Sequence, residues 1–474
     1  MAFYNELGNW AVHQALVDAQ GNSLSYLQLE VYTNQLGDVI GKRTLVFSFC
    51  KNSIGSVIGY VAFLKKRIVP LLLKADMEEE LRSNLIHLYQ PGYLYVPKEM
   101  KEIFTDYNCV WENMGYCLFR TEYSEEIEMY PELALLLTTS GSTGSPKLVR
   151  QSYDNIEVNA ESIASYLKLD ETERPITTLP MNYTYGLSII NSHLLVGATI
   201  LLTEDTLMNR EFWNFFKQEK ATSFGGVPYT YEILKKLRFL KMDLPSLRTM
   251  TQAGGKLSPE LHREFAEYAM SNGKHFVVMY GQTEATARMG YLPWEKAIEK
   301  YGSMGIAIPG GKLWLKDIEG NEITQPDVVG ELVYEGPNVT LGYAICPEDL
   351  AKGDERHGVL ETGDMATMDN EGFFYIVGRK KRFLKIYGNR VNLDETERMI
   401  KAEYPDFDCA CAGVDDKLYA FVTINNTEKF DEIRHFLSQK TGLNPTAFTI
   451  KYISEIPKNE AGKIVYRALE EYYD

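Results

Sequence analysis

Cysteine, histidine, positive charge and long apolar runs are all in short supply in this chain. Six cysteines are scattered through 474 residues. Cys409 and Cys411 share one strand-like run, but no second pair and no histidine cluster completes a metal site. All six are therefore expected to be reduced, mostly buried thiols. The longest apolar stretch, Ile54 to Leu64, stops at Lys65-Lys66 and is too short to span a bilayer. The opening Met1-Ala2-Phe3-Tyr4-Asn5-Glu6 has no basic region followed by an apolar core. No signal peptide is expected, and the expected compartment is the cytoplasm. Lys and Arg number 49 against 65 Asp and Glu, a net charge of −16. Such a chain has no general attraction for nucleic acid, so an anionic ligand must be held by local positive groups. The Walker loop is missing as well. Its pattern is G-x-x-x-x-G-K-[ST], whereas here Gly141 and Gly144 are three apart, Pro146 precedes Lys147, and Leu148 follows it. A kinase or GTPase of that type is not expected.

The remaining composition is that of a globular protein, 45% hydrophobic and 24% charged, long enough for two to four domains or subdomains. Residues 1 to about 125 alternate helical patterns with short apolar strands such as Thr44 to Phe49 and Ile68 to Leu73. The middle repeats the rhythm through Pro175 to Leu179, Ala198 to Leu202, Ser223 to Val227 and His275 to Met279. This alternation predicts α/β layers with largely parallel sheet. From about Gly302, short strands and Gly/Pro/Asp/Asn turns take over, which predicts a β-rich subdomain. The basic run Arg379-Lys380-Lys381-Arg382 then leads into a tail of about 90 residues with its own α+β pattern. The expected division is 1–380 as a large N-terminal domain and 381–474 as a small C-terminal one.

Thr138-Thr139-Ser140-Gly141-Ser142-Thr143-Gly144-Ser145-Pro146-Lys147 follows the strand-like run Leu133 to Leu137. Glycines let several N–H groups point one way, hydroxyls add neutral donors, and Lys147 adds a mobile charge. Composition alone allows a plain surface loop, so partners elsewhere must decide. Tyr280-Gly281-Gln282-Thr283-Glu284 leaves a predicted strand at the end where ligands of open α/β sheets bind. Ala253-Gly254-Gly255 also follows a strand pattern, and its glycines would let the backbone approach a flat ring. Thr362-Gly363-Asp364 precedes the hairpin-turn composition Asp369 to Gly372, and its aspartate suits paired hydroxyls. Gly378 to Val391 packs six cations into fourteen residues at the apparent domain boundary. Pro457 to Ile464 is a turn ending in Gly462-Lys463. Each of these has an ordinary alternative: a strand exit, a turn, a solvated charged face or a surface lysine.

Their order and spacing along one chain are not ordinary. Together they resemble the adenylate-forming superfamily: acyl-CoA synthetases, aryl-CoA ligases, firefly luciferase and the adenylation domains of peptide synthetases. The loop [ST]-S-G-[ST]-T-G-x-P-K is matched by Thr139 to Lys147 and Y-G-x-T-E by Tyr280 to Glu284. T-G-D, G-R-x-[KD]-x-x-I-K-x-x-G-x-x-[VI] and P-x-x-x-x-G-K-I follow at Thr362, Gly378 and Pro457. The resemblance covers nearly the whole chain, the first 125 residues least.

The resemblance implies two half-reactions. A carboxylate attacks the α-phosphorus of ATP to give an acyl-adenylate and pyrophosphate. A thiol of CoA, or the phosphopantetheine of a carrier protein, then displaces AMP. It implies that Thr139, Ser140, Gly141, Ser142, Thr143, Gly144 and Lys147 hold the β- and γ-phosphates. Tyr280 would stack on adenine, with Ala253, Gly254 and Gly255 lining the slot. Thr283 would touch the α-phosphate, Glu284 would hold Mg²⁺, and Asp364 with Arg379 would bind the ribose. Lys463 would stabilise the adenylation transition state. Lys381 matches the hinge of a mobile C-terminal domain, which would bring the face around Lys385 and Gly388 into the second half-reaction.

Three positions depart from the family pattern. Leu148 stands where glycine usually follows the loop lysine. Tyr153 replaces a common histidine, and Tyr183 replaces the histidine of P-x-x-H-x-x-G in Pro180 to Gly186. That segment lacks the aspartate with which amino-acid-activating relatives pair an α-ammonium, so an α-amino acid is disfavoured. The acyl pocket is expected between Tyr183, Tyr185, Val227, Pro228, Tyr229 and Thr286, suiting an aromatic or medium aliphatic acid. No carrier domain follows Lys463, so the acyl group is expected to leave on CoA or on a separate acyl carrier protein; CoA is the acceptor the family resemblance favours, with the carrier protein as the alternative. A non-catalytic nucleotide-binding protein and an adenylate-using oxidase are the rivals on the same fold.

Overall fold

The structure, a computed structural model, describes residues 2–123, 127–138, 147–386, 389–459 and 463–473. It resolves into two compact units, Met1–Leu313 with Tyr334–Leu360, and Trp314–Val333 with Glu361–Asp474. The expected boundary near residue 380 falls inside the second of these.

The first unit holds two large mixed sheets. In one, the parallel strands Leu133–Thr138, Val69–Lys74, Leu45–Cys50 and Tyr93–Pro97 lie side by side, with antiparallel strands on both flanks. Leu45–Cys50 is buried along its whole length, as a strand covered on both faces must be. Its side chains alternate: Val46 and Cys50 join one apolar core, Phe47 and Phe49 another. In the second sheet Ser223–Gly226, Thr249–Gln252 and His275–Tyr280 are adjacent and parallel, with Gly226, Gln252 and Val278 in register. Their carboxyl ends therefore open onto the same edge. The expected strand at Pro175 to Leu179 is shorter, Pro175–Ile176, because the chain beyond it turns away to begin the segment leading to Tyr183.

The apolar stretch too short for a membrane is a helix, Ile54–Lys65, whose residues Ile54 to Leu64 are all buried. Each of its large apolar side chains contributes about 1.5–3 kcal/mol by leaving water. Two glycines one turn apart let it lie close to its neighbours. A Cβ on Gly55 would stand 2.4 Å from the Met114 carbonyl oxygen, and one on Gly59 would stand 2.3 Å from the Tyr95 ring.

The second unit is built from a five-stranded sheet, which includes the hairpin Val359–Met368 with Phe374–Arg379, and a three-stranded sheet. The latter comprises Cys409–Val414, Lys417–Val422 and Phe448–Tyr452, with the helices Leu393–Glu403 and Thr427–Thr441 packed on it. Part of the basic run is structural here. Arg382 is buried, pairs with Asp394 at 2.7 Å and Glu397 at 2.6 Å, and covers the Tyr466 ring. Lys380 pairs with Glu331 at 2.8 Å. All six cysteines are free and four are buried; burial pushes the Cys50, Cys117 and Cys409 thiols up to about 12. Among the described residues, no helix is long and apolar enough to cross a membrane.

Gly59→Val should lower stability by about 1–3 kcal/mol through overpacking against Tyr95. The measure is a lower urea midpoint at unchanged slope.

Candidate active site

Three consecutive loops at the common strand edge carry predicted residues. After Ser223–Gly226 come Val227, Pro228 and Tyr229. After Thr249–Gln252 come Ala253, Gly254 and Gly255, and after His275–Tyr280 comes the Gly281 to Glu284 segment. The middle loop is pinned by the fully buried Gln252, whose Nε2 donates to the carbonyls of Ala253 (3.1 Å) and Gly255 (2.9 Å). Gly254 takes φ +83°, and a Cβ there would meet Tyr183 Oη at 2.7 Å and Val227 at 3.1 Å. A Cβ on Gly255 would meet Pro228 at 3.1 Å. The loop expected beside adenine and three of the residues expected around the acyl group, Tyr183, Val227 and Pro228, are thus immediate neighbours.

The sequence around Tyr183 folds tightly for local reasons. Gly186 admits the Pro180 carbonyl oxygen, which would lie 2.4 Å from a Cβ. The helix Thr184–Leu195 then places Tyr185, buried, with its hydroxyl 2.9 Å from Thr251 Oγ1. Gly225 makes room for that ring, since a Cβ there would approach the Tyr185 hydroxyl to 3.0 Å. Burial pushes the Tyr183 phenol up to about 12. The other two expected wall residues differ. Tyr229 is exposed, and the buried Thr286 donates its hydroxyl to the Asn338 carbonyl at 2.8 Å.

Glu284 lies at the centre of a network. Its Oε1 accepts the Tyr343 hydroxyl at 2.6 Å. Its main-chain carbonyl accepts Thr340 N, Thr340 Oγ1 and Arg356 Nη1, each at 3.0 Å. Two cations approach the Tyr343 ring, Lys147 Nζ at 5.5 Å and the Arg356 guanidinium at 4.7 Å from its centroid. Register explains the meeting: Gly342–Ala344 pairs antiparallel with Leu148–Ser152, setting Tyr343 opposite Val149. Burial, and then the Glu284 carboxylate, push the Tyr343 phenol up to about 12, so it remains a donor at neutral pH. Nothing in the sequence motifs singled out Tyr343, Thr340 or Arg356, because the pairing that brings them in spans nearly two hundred residues.

Beyond Glu284 the backbone is strained. Thr286 (φ +52°) and Ala287 (φ +107°) are consecutive non-glycine residues in left-handed conformation. Such residues persist only when their surroundings over-determine them. Here Asn338, buried, donates from Nδ2 to the carbonyls of Ala285 (2.7 Å) and Arg288 (2.8 Å), and its Oδ1 accepts Tyr334 at 2.7 Å. The turn brings the Ala287 carbonyl oxygen to 1.5 Å from where a Cβ on Gly281 would stand, so the motif glycine is a steric necessity.

In the second unit Asp364, buried, pairs with Arg379 Nε at 2.7 Å across the hairpin, where the two residues are in register. Lys463 N donates to Asn459 Oδ1 at 2.9 Å, and an isolated bridge joins Lys458 to Ile464. Lys463 is exposed as a residue, yet its ammonium lies below the ordinary lysine value. Lost hydration lowers it first, then the Arg379 guanidinium, with Asp364 opposing. Three residues far apart in sequence therefore share one electrostatic neighbourhood.

Thr139, Ser140, Gly141, Ser142, Thr143, Gly144 and Gly388 lie outside the described residues, as do the side chains of Lys381 and Lys385. Tyr153 serves packing, buried beneath the Arg67 guanidinium at 4.3 Å. One other group of potential metal ligands occurs among the described residues: Cys109, Glu112 and Cys117. Its carboxylate is already held by Lys98 at 2.7 Å and Lys101 at 2.6 Å.

A model of the AMP-binding enzyme family matches residues 5–344. The chain belongs to the AMP-binding enzymes. Among its relatives, a long-chain-fatty-acid–CoA ligase of Bacillus subtilis strain 168 is 30% identical over 360 residues, 73% of this chain and 63% of the relative. A luciferin 4-monooxygenase of Nipponoluciola cruciata is 28% identical over 360 residues, 73% of this chain and 64% of the relative. The matched stretch thus spans somewhat under two thirds of either relative. The same mixed α/β fold is found in an o-succinylbenzoate CoA synthetase from Bacillus subtilis, solved in complex with its acyl-adenylate intermediate. It is 20% identical with a TM-score of 0.79, covering 99% of this chain and 98% of that one.

Asn338→Ala should leave two buried carbonyls of the strained turn without their donor. The expected loss is about 1–3 kcal/mol of stability, seen as a lower thermal midpoint that Asn338→Asp does not fully restore.

Proposed function

We propose that this AMP-binding enzyme activates a carboxylic acid with ATP and passes the acyl group to the thiol of CoA. The observation that carries the reading is the set of groups around Glu284. A partly exposed carboxylate accepts the Tyr343 hydroxyl, the ring of that tyrosine lies near Lys147 and the Arg356 guanidinium, and the Glu284 loop and the Gly254–Tyr183 contact follow neighbouring parallel strands at one sheet edge. This arrangement suits a polyanion carrying a metal ion beside an apolar acyl group.

The carboxylate of the acid is already a nucleophile at neutral pH and needs no general base. Its oxygen bonds to the α-phosphorus of ATP, the α–β bridging bond breaks, and pyrophosphate leaves. The obstacle is bringing an anion to a polyanion, so positioning and fixed charge do the catalysis. Lys147 with Thr139, Ser140, Gly141, Ser142, Thr143 and Gly144 would hold the phosphates. Tyr280, Ala253, Gly254 and Gly255 would hold adenine, Thr283 the α-phosphate, and Asp364 with Arg379 the ribose. Glu284 fits Mg²⁺, which takes one or two carboxylates and completes its shell with phosphate oxygens and water; Tyr343 fixes the carboxylate oxygen that would face it or orient its partner. When bound, Mg²⁺ offsets the phosphate charge that would repel the acid. Lys463 would meet the charge that develops between the acyl carboxylate and the α-phosphate. In the second step the thiol sulfur bonds to the acyl carbon, the single bond from that carbon to the phosphate oxygen breaks, AMP leaves with that oxygen and the electron pair, and the thiol proton passes to solvent. Residues 381–474 would act as the mobile lid, hinged at Lys381, with Lys385 and Gly388 serving that step.

Tyr183, Tyr185, Val227 and Pro228 support an aromatic or medium aliphatic acyl group. Six free thiols support a cytoplasmic site of action.

Lys463→Ala should abolish acid-dependent ATP–pyrophosphate exchange while leaving thioester formation from a supplied acyl-adenylate largely intact. Exchange at the level of the unaltered protein would defeat the assignment. The charged ammonium is the active form, and its surroundings favour the neutral one. Exchange should therefore decline with rising pH earlier than an ordinary lysine would dictate, and Lys463→Arg should remove that decline from whatever activity it retains.

Tyr343→Phe removes the hydrogen bond to Glu284. The Mg²⁺ concentration giving half-maximal exchange should rise about 10-fold or more; an unchanged value would disconnect Glu284 from the metal.

A further inference from the structure

Arg356 belongs to none of the sequence motifs; it sits in the turn Gly353-Asp354-Glu355-Arg356-His357. That turn is locally built. The Asp354 carboxylate accepts the N–H groups of Arg356 at 2.9 Å and His357 at 3.0 Å, and Glu355 N donates to the Leu341 carbonyl at 2.9 Å. The guanidinium is thereby carried over the Tyr343 ring, where Nη1 donates to the Glu284 carbonyl and to Thr340 Oγ1, each at 3.0 Å. Both acceptors are neutral. The carboxylates around it are engaged elsewhere: Glu355 with the buried Arg150 at 2.5 Å, Asp354 with the N–H groups of its own turn, and Glu284 Oε1 with the Tyr343 hydroxyl. Among the described residues no carboxylate lies within ion-pair distance of Arg356 or of Lys147. In a chain of net charge −16, two cations without a carboxylate partner are thus gathered on one ring. Like charges so placed repel, and an anion held by both offsets that repulsion.

The place is open to a solute. Lys147 is exposed, and Arg356, Tyr343 and Glu284 are partly exposed. Lys147 Nζ and the Arg356 guanidinium lie 5.5 Å and 4.7 Å from the same ring centroid, a separation that a di- or triphosphate can bridge. The two differ in freedom. Lys147 carries a point charge on a flexible stem, whereas Arg356 is held by its turn and by Nη1, and its guanidinium has further N–H donors on Nε and Nη2.

We propose that Arg356 is a further catalytic residue of the first half-reaction, a fixed cation that binds the β- and γ-phosphates of ATP and the pyrophosphate that leaves. This rests on the acid-activation reading and adds a residue to it. When the bond from the α-phosphorus to the α–β bridging oxygen breaks, its electron pair stays on that oxygen and the leaving pyrophosphate gains negative charge. The N–H groups of Arg356 that Glu284 and Thr340 do not use donate to that anion in charge-assisted hydrogen bonds. No proton is transferred, because arginine keeps its proton at any working pH. A cation already fixed in place meets the new charge without reorganising as the bond breaks.

The test separates the two half-reactions, since pyrophosphate takes part only in the first. An acyl-adenylate is prepared from the acid that gives the fastest ATP–pyrophosphate exchange in a screen of aromatic and aliphatic acids. It is then turned over either with magnesium pyrophosphate, forming ATP, or with CoA, forming thioester and AMP. In Arg356→Gln the KM for pyrophosphate should rise about 10-fold or more, while the KM for the acyl-adenylate and its rate with CoA stay within about twofold. Arg356→Lys should recover part of the loss. An unchanged KM for pyrophosphate in a folded Arg356→Gln overturns the proposal. So does an equal loss in both reactions, which would mark a purely structural arginine. The unaltered protein gives an independent reading: phenylglyoxal labelling of Arg356, followed by peptide mass mapping, should be slowed by magnesium pyrophosphate and not by the acid alone. Labelling at the same rate with and without pyrophosphate overturns the proposal even where the variants fail to fold. Exchange with no acid of any kind would instead defeat the acid-activation reading itself, and the proposal with it.

Discussion

The Asn338 side chain holds together the carbonyls of Ala285 and Arg288 across a turn whose two intervening residues are both left-handed. Left-handed backbone at two successive non-glycine residues costs of order 1–3 kcal/mol each. The offset comes from Asn338, from Tyr334 behind it, and from Thr286's own hydroxyl on the Asn338 carbonyl. That turn sets the direction of everything before and after it. Before it, Gly281 passes under the Ala287 carbonyl, and Glu284 is delivered to Tyr343, Thr340 and Arg356. After it, Arg288 is sent inward to Ser188 and Tyr185. A partly exposed carboxylate and a buried cation, four residues apart in sequence, are thereby set on either side of one turn.

The site is also a product of close approach. Glycine at 186, 225, 254 and 281 admits, respectively, a carbonyl oxygen, a tyrosine ring, a phenol with a valine methyl, and another carbonyl. At each point a methyl group would displace a neighbour, and at 186 and 281 that neighbour is backbone that cannot yield. Gln252 performs the complementary task, using a buried amide to fix the Ala253–Gly255 loop that the glycines leave free to bend. In the second unit a simpler device operates, a hairpin register that sets Asp364 against Arg379 while Lys463 loses part of its hydration in their field.

The fold class and much of the element pattern were legible from period and punctuation, since apolar runs of five or six residues with turn signals leave few alternatives to buried parallel strands. Thr44 to Phe49 and His275 to Met279 appear within a residue or so as Leu45–Cys50 and His275–Tyr280. Pro175 to Leu179 shows the limit: its composition suits a strand, but the chain there is needed to lead into Tyr183, and only Pro175–Ile176 pairs. Of the expected pocket residues, Tyr183, Tyr185, Val227 and Pro228 cluster around the glycine loop. Thr286 turns to Asn338, and Tyr229 stands exposed. Their motif offsets were visible; the direction of each side chain was not, because a φ of +52° at Thr286 is a tertiary consequence.

By itself the sequence determined the family. A loop rich in hydroxyls and glycine, a Tyr-Gly-x-Thr-Glu exit, a Thr-Gly-Asp and a terminal Gly-Lys in fixed order belong to motifs whose spacing is set by local backbone geometry, which a linear string records. Only the tertiary structure decided how those groups are supported. Tyr343 meets Glu284 because two strands pair antiparallel across nearly two hundred residues, and Arg288 is a buried cation with no carboxylate partner among the described residues because of which helix and ring cover it. In the sequence Arg288 is one cation among 49. Burial and the absence of a counter-charge are properties of its surroundings, and only folding brings those surroundings together.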